Sequence, residues 1–293
     1  MAVSERTTGT PQPIGFSRST WGRVALVLRW IALVIAVVLF LIPFYLILRN
    51  ALSTESDITA PSWTLFPSHL QWSNISELFN DTTVPMARAL YNSAVVAILG
   101  TAGQLLLASM AGYGLARIPY KHADKIFYAI VATLMIPGAV TFIPSFIVVS
   151  SLGWVSSLRG LIIPTLFSGF AAFLFRQYFL GFPRELEEAA RVDGATVWQT
   201  FLRIVLPLAL PGIISTTIIT FLFAWGQFLF PLVLSSDIST QPLTVVITAL
   251  QGRHVVPYSL LSAGGLLSIA VPAVIAMTLN RYIVSGLLAG SLK

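Results

Sequence analysis

The sequence predicts an all-α integral membrane protein, a bundle of six transmembrane helices. Three observations predict it. Of 293 residues, 56% are hydrophobic and 10% charged, with a mean hydropathy of +0.84; a soluble domain carries about 25% charged residues. Six apolar runs, at about 24–48, 92–116, 125–150, 159–181, 207–234 and 259–284, can each cross a hydrocarbon core of about 30 Å as a helix. Lys and Arg are also spread unevenly over the connections between those runs.

Residues 1–23 are polar and rich in Ser, Thr, Pro and Gly, and read as a tail. The apolar stretch 30–48 exceeds the 7–15 residues of a signal-peptide core, so it reads as an uncleaved first span. The connection 49–91 is the longest. It carries Glu55, Asp57, Glu77 and Asp81 with Trp63, Phe66, Trp72 and Phe79. Its aromatics suit either the membrane interface or a docking surface for an external protein. Sequons at Asn74 and Asn80 are of a kind common by chance. Ala108, Ala111, Gly112, Gly114, Gly264 and Gly265 allow close helix contact. Pro137, Pro144, Pro164, Pro207, Pro211, Pro231 and Pro272 interrupt the later spans, as broken helices do in transporters.

Orientation follows from the cations. With the N-terminus inside, thirteen Lys and Arg fall on inside segments: Arg6, Arg18, Arg23, Arg29, Arg117, Lys121, Lys125, Arg176, Arg184, Arg191, Arg203, Arg281 and Lys293. Four fall outside: Arg49, Arg88, Arg159 and Arg253. This positive-inside asymmetry puts both termini, and the loop at about 182–206, in the cytoplasm.

Several functions are excluded. There is no cysteine, so no disulfide, thiolate nucleophile or cysteine metal site. No phosphate-binding G-x-x-x-x-G-K-[ST] occurs. His69, His122 and His254 lie far apart without metal-ligand spacing. The net charge of +6 is dispersed, which argues against nucleic acid. No acidic residue lies deep in a span, where ion-coupled transporters usually carry ionisable groups. The deep polar groups are neutral: Gln104, Thr133, Thr217, Thr220, Gln227 and Asn280. With aromatic neighbours they suit an uncharged polyhydroxyl solute, and each could equally bond its own helix or bridge two helices. The candidate substrate path is Gln104, Thr217, Thr220, Trp225, Gln227 and Phe228.

The most charged stretch is 183–211. Pro183 suits a first helical turn, and Glu185, Glu187 and Glu188 favour the positive end of the helix dipole. Arg184 with Glu188, and Glu187 with Arg191, are spaced i, i+4. Leu186, Ala189, Ala190 and Asp193 share one face, kept thin by the alanines. Gly194 is a natural helix terminator, and Thr196 with Gln199 forms a capping box. A second helix then carries Trp198, Phe201 and Ile204 into Leu206-Pro207.

Glu188-Ala189-Ala190, Asp193-Gly194-Ala195, Ile204 and Leu206-Pro207 together resemble the EAA loop of bacterial ABC-importer permeases. The resemblance extends over nearly the whole chain beyond residue 25. It includes 112–118 (GYGLARI), 159–164 (RGLIIP), 173–195, 204–211, Gln241-Pro242-Leu243 and the ending 281–293, and it is greatest to the carbohydrate-uptake branch, of MalG/UgpE type. It implies a type I importer permease in the bacterial plasma membrane that itself binds no cofactor. ATP and Mg²⁺ would sit on a partner ATPase dimer, beside a second related permease and an extracytoplasmic sugar-binding protein. It further implies that Leu186, Glu188, Ala189, Ala190, Asp193, Gly194, Ala195, Leu206 and Pro207 couple this chain to the ATPase. One departure stands out. Relatives carry Trp-Asn-Asp/Glu-Phe in the fifth span, where this chain has Trp225-Gly226-Gln227-Phe228. The particular sugar therefore stays open, as do glycerol-phosphate esters, a membrane-embedded glycosyltransferase and a stand-alone channel.

Overall fold

The computed structural model describes the backbone of residues 20–252 and 254–289, and the side chains of all these except Thr20, Trp21, Arg23 and 280–289. The side chains of Arg6, Arg18, Arg23, Arg253, Asn280, Arg281 and Lys293, the tail up to residue 19 and the side chains of the ending 281–293 lie outside that description. Among the described residues the regular structure is helical, without strands.

The chain falls into two compact units, one ending at Leu46 and the other starting at Ile47. Helix α1 (Thr20–Ala51) supplies the first. Every described side chain from 24 to 44 is exposed, and nearly all are apolar, as a helix in lipid requires.

The second unit contains the remaining helices. Two short ones, α2 (Glu55–Thr59) and α3 (Ser73–Asn80), lie in the long connection. Then come α4 (Met86–Arg117), α5 (Ala123–Thr133), α6 (Gly138–Ser151), α7 (Leu158–Ile162) and α8 (Gly169–Leu180). The charged loop forms α9 (Glu185–Val192), α10 (Val197–Thr200) and α11 (Leu206–Leu208), followed by α12 (Leu210–Trp225). The chain finishes with α13 (Leu229–Leu234), α14 (Leu243–Val246), α15 (Thr248–Gln251) and α16 (Tyr258–Ala289).

Three helical stretches, Val24–Ala51, Met86–Arg117 and Tyr258–Leu279, are each long and apolar enough to cross a bilayer. The other three expected spans are broken pairs. The run 125–150 divides into α5 and α6, bent by 96°. Pro137, which has no N–H to continue α5, sits at the N-cap of α6. The run 159–181 bends by 40° before α8, where Ser168 accepts a hydrogen bond from the Ala171 amide at 3.2 Å. The run 207–234 is not one helix. α12 begins after a 77° bend and stops at Trp225, so 229–234 belongs to the separate α13. Pro144 and Pro272, expected to interrupt, lie inside continuous helices.

α4 contributes to all three apolar clusters of the unit. Ala89 and Ala97 pack with Leu78, Trp225, Leu243 and Ala263; Ala108 and Tyr113 with Phe175, Phe179 and Phe201; Val96 with Val149, Leu161 and Leu234. Its approach to α8 requires glycine. A Cβ on Gly112 would lie 2.6 Å from Phe175 Cβ and 2.9 Å from the Arg176 backbone nitrogen. Gly114, expected to serve the same contact, instead has nothing within 4 Å of its Cβ position. It borders an apolar hollow with Ala111, Ile118 and Ile126.

The long connection is tied to the bundle by polar side chains. Asn74 is buried and donates to the Ala51 and Ser53 carbonyls at 3.0 and 2.8 Å, which closes the C-terminal end of α1. Buried Arg49 donates to the Thr64 carbonyl and hydroxyl at 2.9 and 3.1 Å. Glu55 Oε1 accepts from the Ser259 amide and hydroxyl at 2.7 and 2.6 Å, capping α16. On α4, Asn92 donates to the Ser239 and Gln241 carbonyls, and Ser93 accepts from the Leu243 amide. These bonds give Gln241-Pro242-Leu243 a structural role.

Candidate coupling loop and transport hollow

Arg184 caps α9 without a side-chain bond, so Pro183 precedes the helix and does not occupy its first turn. The helix ends in a Schellman motif. The Ala195 amide donates to the Ala190 carbonyl at 2.9 Å and the Gly194 amide to Arg191 at 3.1 Å. Gly194 holds φ +79°, which side chains with a Cβ resist. The capping box forms as the sequence predicts: Thr196 Oγ1 accepts from the Gln199 amide, and Gln199 Oε1 accepts from the Thr196 amide at 2.8 Å. After α10 the chain takes a π-helical turn, Phe201–Val205, and then bends at Ala209 behind Leu206-Pro207.

The alanine pair divides. Ala190 is buried, whereas Leu186, Glu188, Ala189, Asp193 and Gly194 are exposed and Ala195 is half-buried. Ala190 therefore does not share a free face with Leu186 and Ala189. The outward apolar surface is broader than the sequence suggests, because Val192, Val197, Trp198 and Leu202 are exposed too.

The ion pairs also differ from the i, i+4 expectation. Among the described residues, the loop's ion pair joins Glu187 Oε1 to Arg117 Nε at 3.2 Å, with both side chains largely buried. That Nε donates its one hydrogen to the Phe179 carbonyl at 3.0 Å, and Arg117 Nη2 donates to the Phe182 carbonyl. Arg117 thus caps the end of α8 and faces α9 at once. Around it Tyr113 lies 4.9 Å from the Phe201 ring and 5.9 Å, edge-on, from Phe179. Sequence reasoning missed this arrangement. The signal was the arginine closing GYGLAR, which a local reading leaves as an ordinary helix-terminal cation.

A second feature is a hollow of about 430 Å³ lined by Gln104, Thr165, Phe167, Ser168, Phe170, Thr220, Phe223 and Gln227. It unites three of the six candidate path residues, Gln104, Thr220 and Gln227. Thr220 nevertheless donates its hydroxyl to the Thr216 carbonyl at 2.8 Å. Thr217 donates to Ile213 within its own helix, outside the hollow lining. Trp225 is buried and its indole donates to the Ser268 carbonyl at 2.9 Å, which fixes α12 to α16. Phe228 is exposed at the break before α13 and is not part of the lining. Thr165, Phe167, Ser168 and Phe170 were missed because they reach the hollow through the bend before α8.

Up to six apolar segments able to cross a bilayer, with a folded amphipathic loop before the fifth, define the architecture of a multi-pass helical membrane protein. Comparison with known proteins fixes the family. The chain belongs to the binding-protein-dependent transport system inner membrane components, whose family model matches residues 104–288. It is 32% identical to a probable ABC transporter permease of Pyrococcus horikoshii over 87% of this chain and 93% of that protein. It is 32% identical to the sn-glycerol-3-phosphate permease UgpE of Yersinia pestis over 88% and 94%. It is 33% identical to the sulfoquinovosyl glycerol permease SmoH of Agrobacterium fabrum over 91% and 93%. In fold it resembles a chain of a bacterial ABC transporter importing the acidic polysaccharide alginate, with a TM-score of 0.79 and 21% identity over 93% and 99%. The chain is thus a membrane component of an ABC transport system.

Proposed function

We propose that this chain is one of two permease subunits of an ATP-driven importer for a neutral sugar or oligosaccharide. The carrying observation is the hollow, where Gln104, Ser168 and Gln227 stand among Phe167, Phe170 and Phe223 with no charged side chain in the lining. Neutral donors and acceptors match sugar hydroxyls, and aromatic faces match the apolar faces of a sugar ring. The chain holds no cofactor in this reading. ATP and Mg²⁺ act on a partner ATPase dimer that receives the exposed side of α9, with Leu186, Glu188 and Ala189. Asp193 and Gly194 set the angle of that helix, and Leu206-Pro207 lead from it into α12. ATP-driven closure of the dimer would rock the two permeases outward, and a binding protein would then release its sugar into the hollow.

Glycerol-phosphate esters are the second reading, because relatives at 32% identity carry that name. An anionic cargo favours cations in its site, and this hollow supplies none. Purification of the tagged chain in mild detergent, with mass spectrometry of its companions, tests the importer reading. An ATPase, a second permease and a binding protein should accompany it; a chain recovered alone after cross-linking overturns the reading. For cargo, Gln104→Leu is expected to raise the half-saturating sugar concentration about tenfold, the equivalent of about 1.4 kcal/mol. Competition of neutral sugars against glycerol phosphate in the same uptake assay separates the two readings.

The distribution of Lys and Arg supports cytoplasmic termini and a cytoplasmic loop. Val192 is 88% exposed, and the chain has no cysteine to interfere. Val192→Cys should react with an impermeant maleimide in inside-out vesicles and not in right-side-out vesicles. The reverse pattern would invert the topology.

A further inference from the structure

We propose that Arg117 and Glu187 are positioning residues that transmit displacement of the coupling loop to α4, and through α4 to the wall of the hollow. The inference rests on the importer reading. Among the described residues, the contact between Glu187 and Arg117 is the ion pair that leaves α9. Their side chains are 13% and 4% exposed, so water and salt screen the charges little. Arg117 cannot simply swing after Glu187. Its Nε is held by the Phe179 carbonyl and its Nη2 by the Phe182 carbonyl. A push on α9 therefore moves the backbone at the end of α4.

Tyr113, one turn earlier, adds a second hold. Its hydroxyl lies 3.5 Å from Glu187 Oε2, and its ring packs on Phe201 beyond the glycine break. The C-terminal turn of α4 thus contacts both halves of the loop. From Arg117, α4 runs unbroken to Met86 and carries Gln104 on the hollow. A helix rises 1.5 Å per residue, which places Gln104 about 20 Å along the axis from Arg117. The route along α12 passes a bend of 77°, whereas α8 runs unbroken from the loop to Phe170 on the same hollow. α4 and α8 are the two stiff routes, and Arg117 is bonded to the end of α8 as well as facing α9.

The test uses the whole complex in proteoliposomes, with ATPase, second permease and binding protein, and reads sugar imported per ATP hydrolysed. Glu187→Gln keeps shape and removes charge. It is expected to assemble and hydrolyse ATP while uptake per ATP falls about tenfold. Arg117→Lys should lie between it and wild type, since the ammonium retains charge and loses the fork. The double variant should fall no further than Glu187→Gln alone. Tyr113→Phe, which leaves the ring stacking intact, guards against misfolding and should lower the ratio about threefold. An unchanged ratio in Glu187→Gln and Tyr113→Phe overturns the proposal. So does a proportional loss of hydrolysis and uptake, which marks a purely structural contact. A wild-type chain that recruits no ATPase would instead refute the importer reading itself.

Discussion

Gly194→Val is expected to reduce uptake by the assembled transporter more than tenfold while the chain still inserts in the membrane. At φ +79° the backbone is in the left-handed region, which costs an L-residue about 1–2 kcal/mol and is a true outlier for a β-branched one. Space is not the obstacle, since nothing lies within 4 Å of the Cβ position. The strain is purely conformational, so its effect should follow backbone tolerance and not side-chain size. Relaxation of φ breaks the bonds from Gly194 to Arg191 and from Ala195 to Ala190, and α9 then leaves its angle to α10. Asparagine tolerates this region better than other residues with a Cβ. Uptake should therefore fall in the order Gly, Asn, Ala, Val. Normal uptake by Gly194→Val, measured with labelled sugar at equal membrane levels, would remove the turn from the mechanism.

Gly112→Leu is expected to abolish recovery of folded protein, with a single monodisperse peak in size-exclusion chromatography replaced by aggregate. Even a methyl group would sit 2.6 Å from Phe175 Cβ and 2.9 Å from a backbone nitrogen of α8. Backbone cannot step aside as a flexible side chain can, so the two helices must part. Overpacking of this kind costs about 1–3 kcal/mol, occasionally more, and here it would loosen the cluster of Phe175, Phe179 and Phe201 that supports the loop. Gly114→Leu, two residues along the same helix, meets open space and should keep the peak. Equal behaviour of the two variants would mean that α4 and α8 do not approach at Gly112.

These glycines mark where the sequence is informative. Gly194 and the Thr196–Gln199 box are legible because a helix end and a cap are decided within a few residues. Gly112 and Gly114 look alike in sequence, yet only the first lies against α8. The same holds at the candidate site. Glu187 has a cation four residues away at Arg191, but its ion pair is with Arg117, seventy residues earlier, in a largely buried site. Trp225 and Thr217 read as plausible path residues, and the structure adds that each donates to a backbone carbonyl.

The sequence by itself determined the helical membrane class, the three long helical stretches, the capping of the charged loop and its relation to a transport family. Those features follow from hydropathy summed over about twenty residues and from hydrogen bonds between near neighbours. Only the tertiary structure decided that Ala190 turns inward, that Arg117 holds α8 and α9 together, and that Gln104, Ser168 and Gln227 meet in one hollow. Each of these depends on which helices approach and where they bend, and a close packing of distant segments is encoded in no single stretch of chain.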